Sequence, residues 1–237
     1  MIFKRDELFK YVCSLSTLNN NGIKDVGTGF FVFHNNSLYL ITATHVAVKT
    51  MINTILVLSD NLGKSTEFKL IDVANDRFFQ HKVADICLIK INENYSELFK
   101  DRGFPSEQIH NNETPPSRDV ELTSIGFPQG LGVENYFSPL SYRSHAASSF
   151  INLNRFDNNE QCTFFVLENP AMAGYSGCPI FDMGYVTYGN MIINGEKTIC
   201  YGIMHGTLFD ATGGKIAAVT PSCYLINLLN DAEKQGL

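Results

Sequence analysis

Seven residues, Gly174-Tyr175-Ser176-Gly177-Cys178-Pro179-Ile180, set a serine between two glycines just ahead of an apolar run. A serine hydroxyl attacks a carbonyl only when a base takes its proton and N–H donors face the oxyanion that forms. Glycine on both sides permits the positive-φ backbone that exposes the hydroxyl and turns neighbouring N–H groups inward. Ser176 is the candidate nucleophile on these grounds, and the N–H groups of Gly174 and Ser176 are the candidate oxyanion donors. Alone, the heptad also reads as a glycine-rich turn before a buried strand, with Pro179 at a tolerated strand start.

Two further segments could supply the base and its partner. Leu40-Ile41-Thr42-Ala43-Thr44-His45-Val46 is an apolar run that ends in small residues and a histidine. Val83-Ala84-Asp85-Ile86-Cys87-Leu88-Ile89 places an aspartate at the mouth of an apolar run, where desolvation demands a dedicated donor. Taken singly, His45 reads as a structural histidine and Asp85 as a turn residue capping a strand. Together they make His45 the general base, Asp85 the residue that orients it, and Ser176 the attacking group. The order is His, Asp, Ser, with 40 residues from 45 to 85 and 91 from 85 to 176. Other triad enzymes run Asp-His-Ser or Ser-Asp-His.

Strands must position these residues, because helical periodicity is scarce. Short apolar or alternating runs bounded by Asn, Gly, Asp and Pro recur at 29–34, 38–43, 54–58, 68–73, 86–91, 120–125, 162–167, 198–204 and 215–219. This pattern predicts an all-β sandwich or barrel. Phe30–Phe33 and Leu38–Ile41 flank the polar stretch His34–Ser37, which predicts a hairpin. The polar, proline-containing stretch 103–117 is the candidate linker between two lobes. Residues 1–110 would then carry His45 and Asp85, and residues 111–237 would carry Ser176. Leu225, Leu228 and Leu229 predict a closing amphipathic helix over 222–235, with Ser222 as its N-cap. No appended peptide-binding domain is expected beyond it.

The chain has 237 residues, 18 basic and 24 acidic, for a formal charge of -6. It lacks the basic cluster that phosphate binding needs, so no nucleic-acid partner is expected. The first ten residues hold no apolar signal region, and no window approaches 18 consecutive apolar residues, so neither export nor a membrane span is expected. Six cysteines sit at irregular spacing, mostly in apolar runs, and read as reduced buried thiols of a cytoplasmic protein. No CxxC or HExxH spacing is present, and no metal or other cofactor is expected.

With these motifs the chain resembles the chymotrypsin-like (trypsin-like) serine peptidase superfamily, and most closely its bacterial-type branch. Gly27–Val32 with Tyr39–Val46 resembles the strand pair that leads to the family's histidine, and Val83–Ile91 resembles the strand opened by its aspartate. Ser124–Gly130 is similar to the Gly-aromatic-Pro segment of the second barrel, and Gly174–Asp182 to the segment around the nucleophile. Cys200–Gly206 is similar to the strand that pairs with substrate. The likeness runs from about Gly27 to Leu229. It implies two antiparallel six-stranded β-barrels with a C-terminal helix and a triad in the cleft between them. The separations agree with the family template, about 45 and about 93 residues. The implied activity is that of a serine endopeptidase acting through an acyl-enzyme on a polypeptide substrate. Control would come from a regulatory protein partner or from narrow specificity.

Departures from the family pattern are specific. Tyr175 stands where an aspartate or asparagine precedes the nucleophile, so activation by N-terminal cleavage is not expected. Cys178 replaces the second glycine. Pro170, six residues before the serine, is not acidic, so a preference for Lys or Arg loses its basis. Ala171, Ala217 and Ala218 are small enough to line a pocket. Met204, His205 and Gly206 lie in the substrate-pairing strand. The order Gly-Ile-Met-His is one residue longer than the Gly-Ile-His of Glu- or Gln-specific members, and one residue turns a side chain to the other face. His205 is thus either a specificity residue or a structural one near Asp85. His34, His81, His110 and His145 read as surface or packing residues. The altered frame around Ser176 keeps an alternative open: a catalytically silent protease-like scaffold that binds a partner.

Overall fold

Three consecutive residues, Phe30, Phe31 and Val32, have no solvent exposure. Successive strand side chains point to opposite faces, so such a run is stable only where both faces are covered. Phe30 and Val32 join one core with Tyr39, Ile41 and Leu88, while Phe31 joins another with Leu40, Cys87 and Ile89. The first core also takes Ile125, Phe127, Phe164, Phe181 and Ile203 from later in the chain. It is therefore the core that two sheets share.

A computed structural model describes residues 1–18, 24–49, 54–74, 77–188 and 191–237. The first sheet has eight strands: β1 (Val12–Leu18), β2 (Lys24–His34), β3 (Ser37–Thr42), β4 (Ile55–Ser59), β5 (Ser65–Lys69), β6 (Phe79–Gln80), β7 (Cys87–Lys90) and β8 (Phe104–Pro105). Its order is β5-β4-β1-β2-β3-β7-β6, with β8 parallel to β2. The second sheet has seven: β9 (Leu122–Gly126), β10 (Leu140–Ser144), β11 (Ile151–Asn154), β12 (Gln161–Leu167), β13 (Pro179–Asp182), β16 (Ile199–Phe209) and β17 (Lys215–Pro221). Between β13 and β16 lies a separate two-stranded ribbon, β14 (Tyr185–Tyr188) with β15 (Met191–Asn194). Among the described residues there are also four α-helices, α1 (Arg5–Leu8), α2 (Thr44–Lys49), α3 (Leu70–Val73) and α4 (Ser222–Lys234), and four short 3-10 turns.

The all-β class is observed, but the expected pair of six-stranded barrels is not. Neither large sheet closes. β5 and β6 end the first and β10 and β11 end the second, and among the described residues no ladder joins those ends. A barrel needs consistent stagger carried through to closure. Here β6 has only two residues, and the second sheet shifts register at Ile180/Phe181 and at Met204/Gly206.

Other expectations meet the structure at specific residues. The β2–β3 hairpin pairs His34 with Ser37 across Asn35 and Asn36, whose φ values of 45° and 65° give the primed turn that suits strand twist. The run 68–73, read as a strand, instead ends β5 and turns into α3. Within the stretch 103–117, Phe104 is fully buried with four aromatic rings 5.1–5.7 Å away, and the His110 N–H donates to the Cys200 carbonyl at 2.8 Å, while residues 111–114 are exposed. The closing helix α4 buries Leu225, Leu228, Leu229 and Ala232, one stripe at helical spacing. Ser222 is its first residue and not its cap, because its hydroxyl donates to the His110 carbonyl at 2.7 Å.

Thr28 on β2 fastens the Ser176 turn to the first sheet. Its N–H donates to the Ser176 carbonyl at 2.8 Å, and its hydroxyl donates to the Gly174 carbonyl at 2.8 Å. The same hydroxyl accepts the Phe127 N–H at 3.1 Å. Gly177 (φ +87°) sits so close that a Cβ there would meet the Thr28 carbonyl and the Thr42 hydroxyl. Thr28→Val strands a buried donor and a buried acceptor. It is expected to cost about 1–3 kcal/mol in urea unfolding, whereas Thr28→Ser stays near wild type. Equal stability of all three would remove Thr28 as the fastening point.

Candidate active site

His45 is the second residue of α2, directly after β3, and Asp85 precedes β7, the neighbour of β3 in the sheet. This adjacency brings the two together. The His45 N–H donates to Asp85 Oδ1 at 3.1 Å, and His45 Nδ1 lies 2.7 Å from Asp85 Oδ2. The second sheet contributes His205, whose Nδ1 lies 2.6 Å from the same Oδ2. His205 is the extra residue of a bulge in β16, since Met204 pairs with Val219 and Gly206 with Ala218. A bulge re-aims a side chain, and here the imidazole turns to Asp85 with no exposure to solvent.

Arg155, in the turn between β11 and β12, completes the cluster. Its Nη2 donates to Asp85 Oδ1 at 3.3 Å and its Nη1 to the Val83 carbonyl at 2.8 Å, while Asp157 accepts from Nε and Nη2. Each Asp85 oxygen thus accepts two donors, which fills a carboxylate's acceptor capacity. Burial alone would raise the Asp85 pKa. The hydrogen bonds from His205 and His45 outweigh it and hold the group well below the usual carboxylate range. The Phe156 N–H donates to His205 Nε2 at 3.4 Å, so the His205 proton sits on Nδ1, facing Asp85.

Ser176 does not join this cluster. Its hydroxyl donates to the His205 carbonyl at 3.1 Å, and among the described residues no hydrogen bond links it to His45. The His45 ring instead packs against Phe156 at 4.7 Å, and Phe156 also lies on His205 at 4.4 Å. Nucleophilic catalysis needs the serine within hydrogen-bond reach of its base. The cluster is His45-Asp85-His205, not the expected His-Asp-Ser triad. The expectation of a triad-bearing serine endopeptidase is corrected accordingly.

His45, Asp85 and His205 also present three metal-ligand atoms within 4.8 Å. Ligands around tetrahedral zinc, with bonds of about 2.0–2.1 Å, stand about 3.3 Å apart. Separations of 2.6 and 2.7 Å are those of hydrogen bonds, and the Arg155 guanidinium on Asp85 opposes a second cation. The residues do not fit a metal.

Ser176, His45, Gly174, Ala171 and Gly206 all border a cleft of about 770 Å³, and Phe156 forms part of its wall. Gly174 has φ +95°, and the Ala173 carbonyl is tied to the Gln129 N–H at 2.7 Å. Among the described residues the N–H groups of Gly174 and Ser176 make no hydrogen bond. Met204 lies behind the cleft in the second sheet's own core, and Ala217 and Ala218 are fully buried, so none of the three lines it. Tyr175 is buried, its hydroxyl donating to the Leu140 carbonyl at 3.1 Å. Cys178 packs inward, where burial pushes its thiol well up. All six cysteines are free, five of them buried. His81 does more than pack: its Nδ1 accepts the Ala84 N–H at 2.9 Å, just before Asp85.

Asp85→Asn is expected to destabilise the chain by about 3–5 kcal/mol at pH 7, because it breaks a buried ionic network. The folded-state pKa lies below the unfolded value of about 3.9. The carboxylate's contribution is therefore full above that value and is lost as pH falls through the folded one. Urea unfolding should show the gap between wild type and variant narrowing below about pH 4. A gap that stays constant into strong acid would contradict this assignment.

Comparison with known proteins adds to this geometry. Residues 27–187 match the model of the trypsin-like peptidase domain. An M. tuberculosis protease in its active form is 14% identical with a TM-score of 0.62, over 95% of this chain and 82% of that one. A serine endoprotease from Yersinia pestis is 15% identical with a TM-score of 0.59, over 100% and 69%. An inactivated protease paralogue of the scabies mite is 10% identical with a TM-score of 0.61, over 99% of both chains. At such identities the likeness is one of fold. No curated protein matches the chain. Because the matched domain covers more than half of its length, the chain belongs to the trypsin-like peptidase domain family.

Proposed function

We propose that this chain is a protease-fold binding protein that holds a polypeptide segment in its cleft without cleaving it. The observation that carries the reading is the His45-Asp85-His205 cluster, with the Ser176 hydroxyl given to the His205 carbonyl. The base and the serine are present but are not joined. The scabies mite relative, described as an inactivated protease paralogue, is a fold relative consistent with such a role.

The cleft offers what an extended polypeptide needs. β13 pairs with β16 only as far as Ile203, while β17 follows β16 to Phe209. From Gly206 to Phe209 one edge of β16 is unpaired among the described residues, and it borders the cleft. A peptide strand can add to such an edge. The N–H groups of Gly174 and Ser176 can take a carbonyl or a terminal carboxylate from it. Phe156, Met172 and Phe209, all exposed, offer apolar contact along the cleft. Ala171 and Gly206 leave room for its side chains. Six free thiols suit a reducing compartment such as the cytoplasm. No helix among the described residues is long and apolar enough to cross a membrane.

A fluorophosphonate probe is expected to leave Ser176 unlabelled, and a diverse peptide library is expected to yield no products. The same library, displayed for binding, should give peptides whose affinity falls at least tenfold in Ala171→Arg and is unchanged in Ser176→Ala. Labelling that Ser176→Ala abolishes, or turnover of any library member, would contradict the proposal.

A further inference from the structure

The β14–β15 ribbon stands apart from both large sheets and exposes apolar side chains. Val186, Met191, Ile192 and Ile193 are 57%, 61%, 58% and 55% exposed. Clustered exposure of this kind marks interaction surfaces. The register places Val186 opposite Ile193, and Met191 stands two residues before Ile193, so these three positions share one face. Among the described residues the ribbon pairs with no third strand. A two-stranded hairpin alone is marginally stable in water, so covering that face would stabilise it.

Val186 and Ile193 form one wall of a groove of about 390 Å³. Asp119, Glu121, Asp182 and Glu196 also line it, against the single cation Lys197. The Lys197 ammonium donates to the Glu107 carbonyl at 3.5 Å. Arg143 meets Glu121 at 3.3 Å, but both side chains are about half exposed, where such a pair is weak. The groove is therefore apolar on one wall and negative around it. A second copy of this chain, which carries a charge of -6 and the same carboxylates, is a poor occupant.

We infer that this groove docks an extended segment of a partner polypeptide in which basic and apolar residues alternate. Its apolar side chains cover Val186 and Ile193, and its lysine or arginine side chains meet the carboxylates. This surface is separate from the cleft, and it lies beyond the end of β13, the strand that follows the Ser176 turn.

Two fluorescein-labelled ten-residue peptides test the inference by fluorescence anisotropy on the full chain. One alternates lysine with valine and the other alternates glutamate with valine. The lysine peptide is expected to bind at least tenfold more tightly. Glu121→Lys with Glu196→Lys should weaken it at least tenfold and, as a gain that a misfolded protein could not show, strengthen the glutamate peptide. Ile193→Ser should weaken the lysine peptide tenfold. Glu67→Lys with Asp72→Lys, on β5 and α3, and Ala171→Arg in the cleft should leave it unchanged. Equal binding of both peptides, or an equal effect of the reversal at Glu67 and Asp72, would overturn the inference. So would a dimer of the wild-type chain that Ile193→Ser dissolves, since the face would then belong to a second copy.

Discussion

A carboxylate withdrawn from water is destabilising by several kcal/mol unless protein donors replace the lost solvent. Asp85 has no exposed surface and meets that requirement with donors from three separate parts of the chain. His45 comes from the start of α2, His205 from a bulge in β16, and Arg155 from the turn between β11 and β12. The first belongs with the eight-stranded sheet and the other two with the seven-stranded one. The contact between the sheets is thus fixed by chemistry at Asp85 as well as by the apolar core they share. It also sets the orientation of both imidazoles.

A chain with the family's residues in the family's order does not assemble the relay those residues imply, because Ser176 is engaged elsewhere. Thr28 grips Ser176 through its carbonyl and fixes the turn against β2. With the turn held there, the His205 carbonyl is within reach of the Ser176 hydroxyl and accepts its hydrogen bond. Phe156 packs against both imidazoles. The cleft keeps its small side chains and, among the described residues, its unpaired N–H groups and open strand edge, the features on which the proposed binding role rests.

Much of this was legible in the sequence, for identifiable reasons. Phe30–Phe33 and Leu38–Ile41 announced β2 and β3 because apolar runs between turn residues are a local signal, and Leu225, Leu228 and Leu229 announced α4 through helical spacing. The pairing of His45 with Asp85 was readable because each sits at the end of an apolar strand. The role of His205 at Asp85 stayed one of two options, because a bulge depends on pairing between β16 and β17 and not on the sequence of β16. Arg155 and Phe156 were missed altogether. They lie in a polar turn, and only the tertiary fold brings Arg155 to a carboxylate 70 residues away. Barrel closure was expected from resemblance and not found, since closure rests on the hydrogen bonds of edge strands, which local alternation does not encode.

Nuclear magnetic resonance of the imidazole N–H protons tests the shared carboxylate most directly. Two strongly deshielded signals are expected, one from Nδ1 of His45 and one from Nδ1 of His205. Both should vanish in Asp85→Ala, and both should be unmoved in Ser176→Ala. A single deshielded signal, or a His45 signal that moves when Ser176 is replaced by alanine, would contradict the His45-Asp85-His205 assignment and return Ser176 to the side of its base.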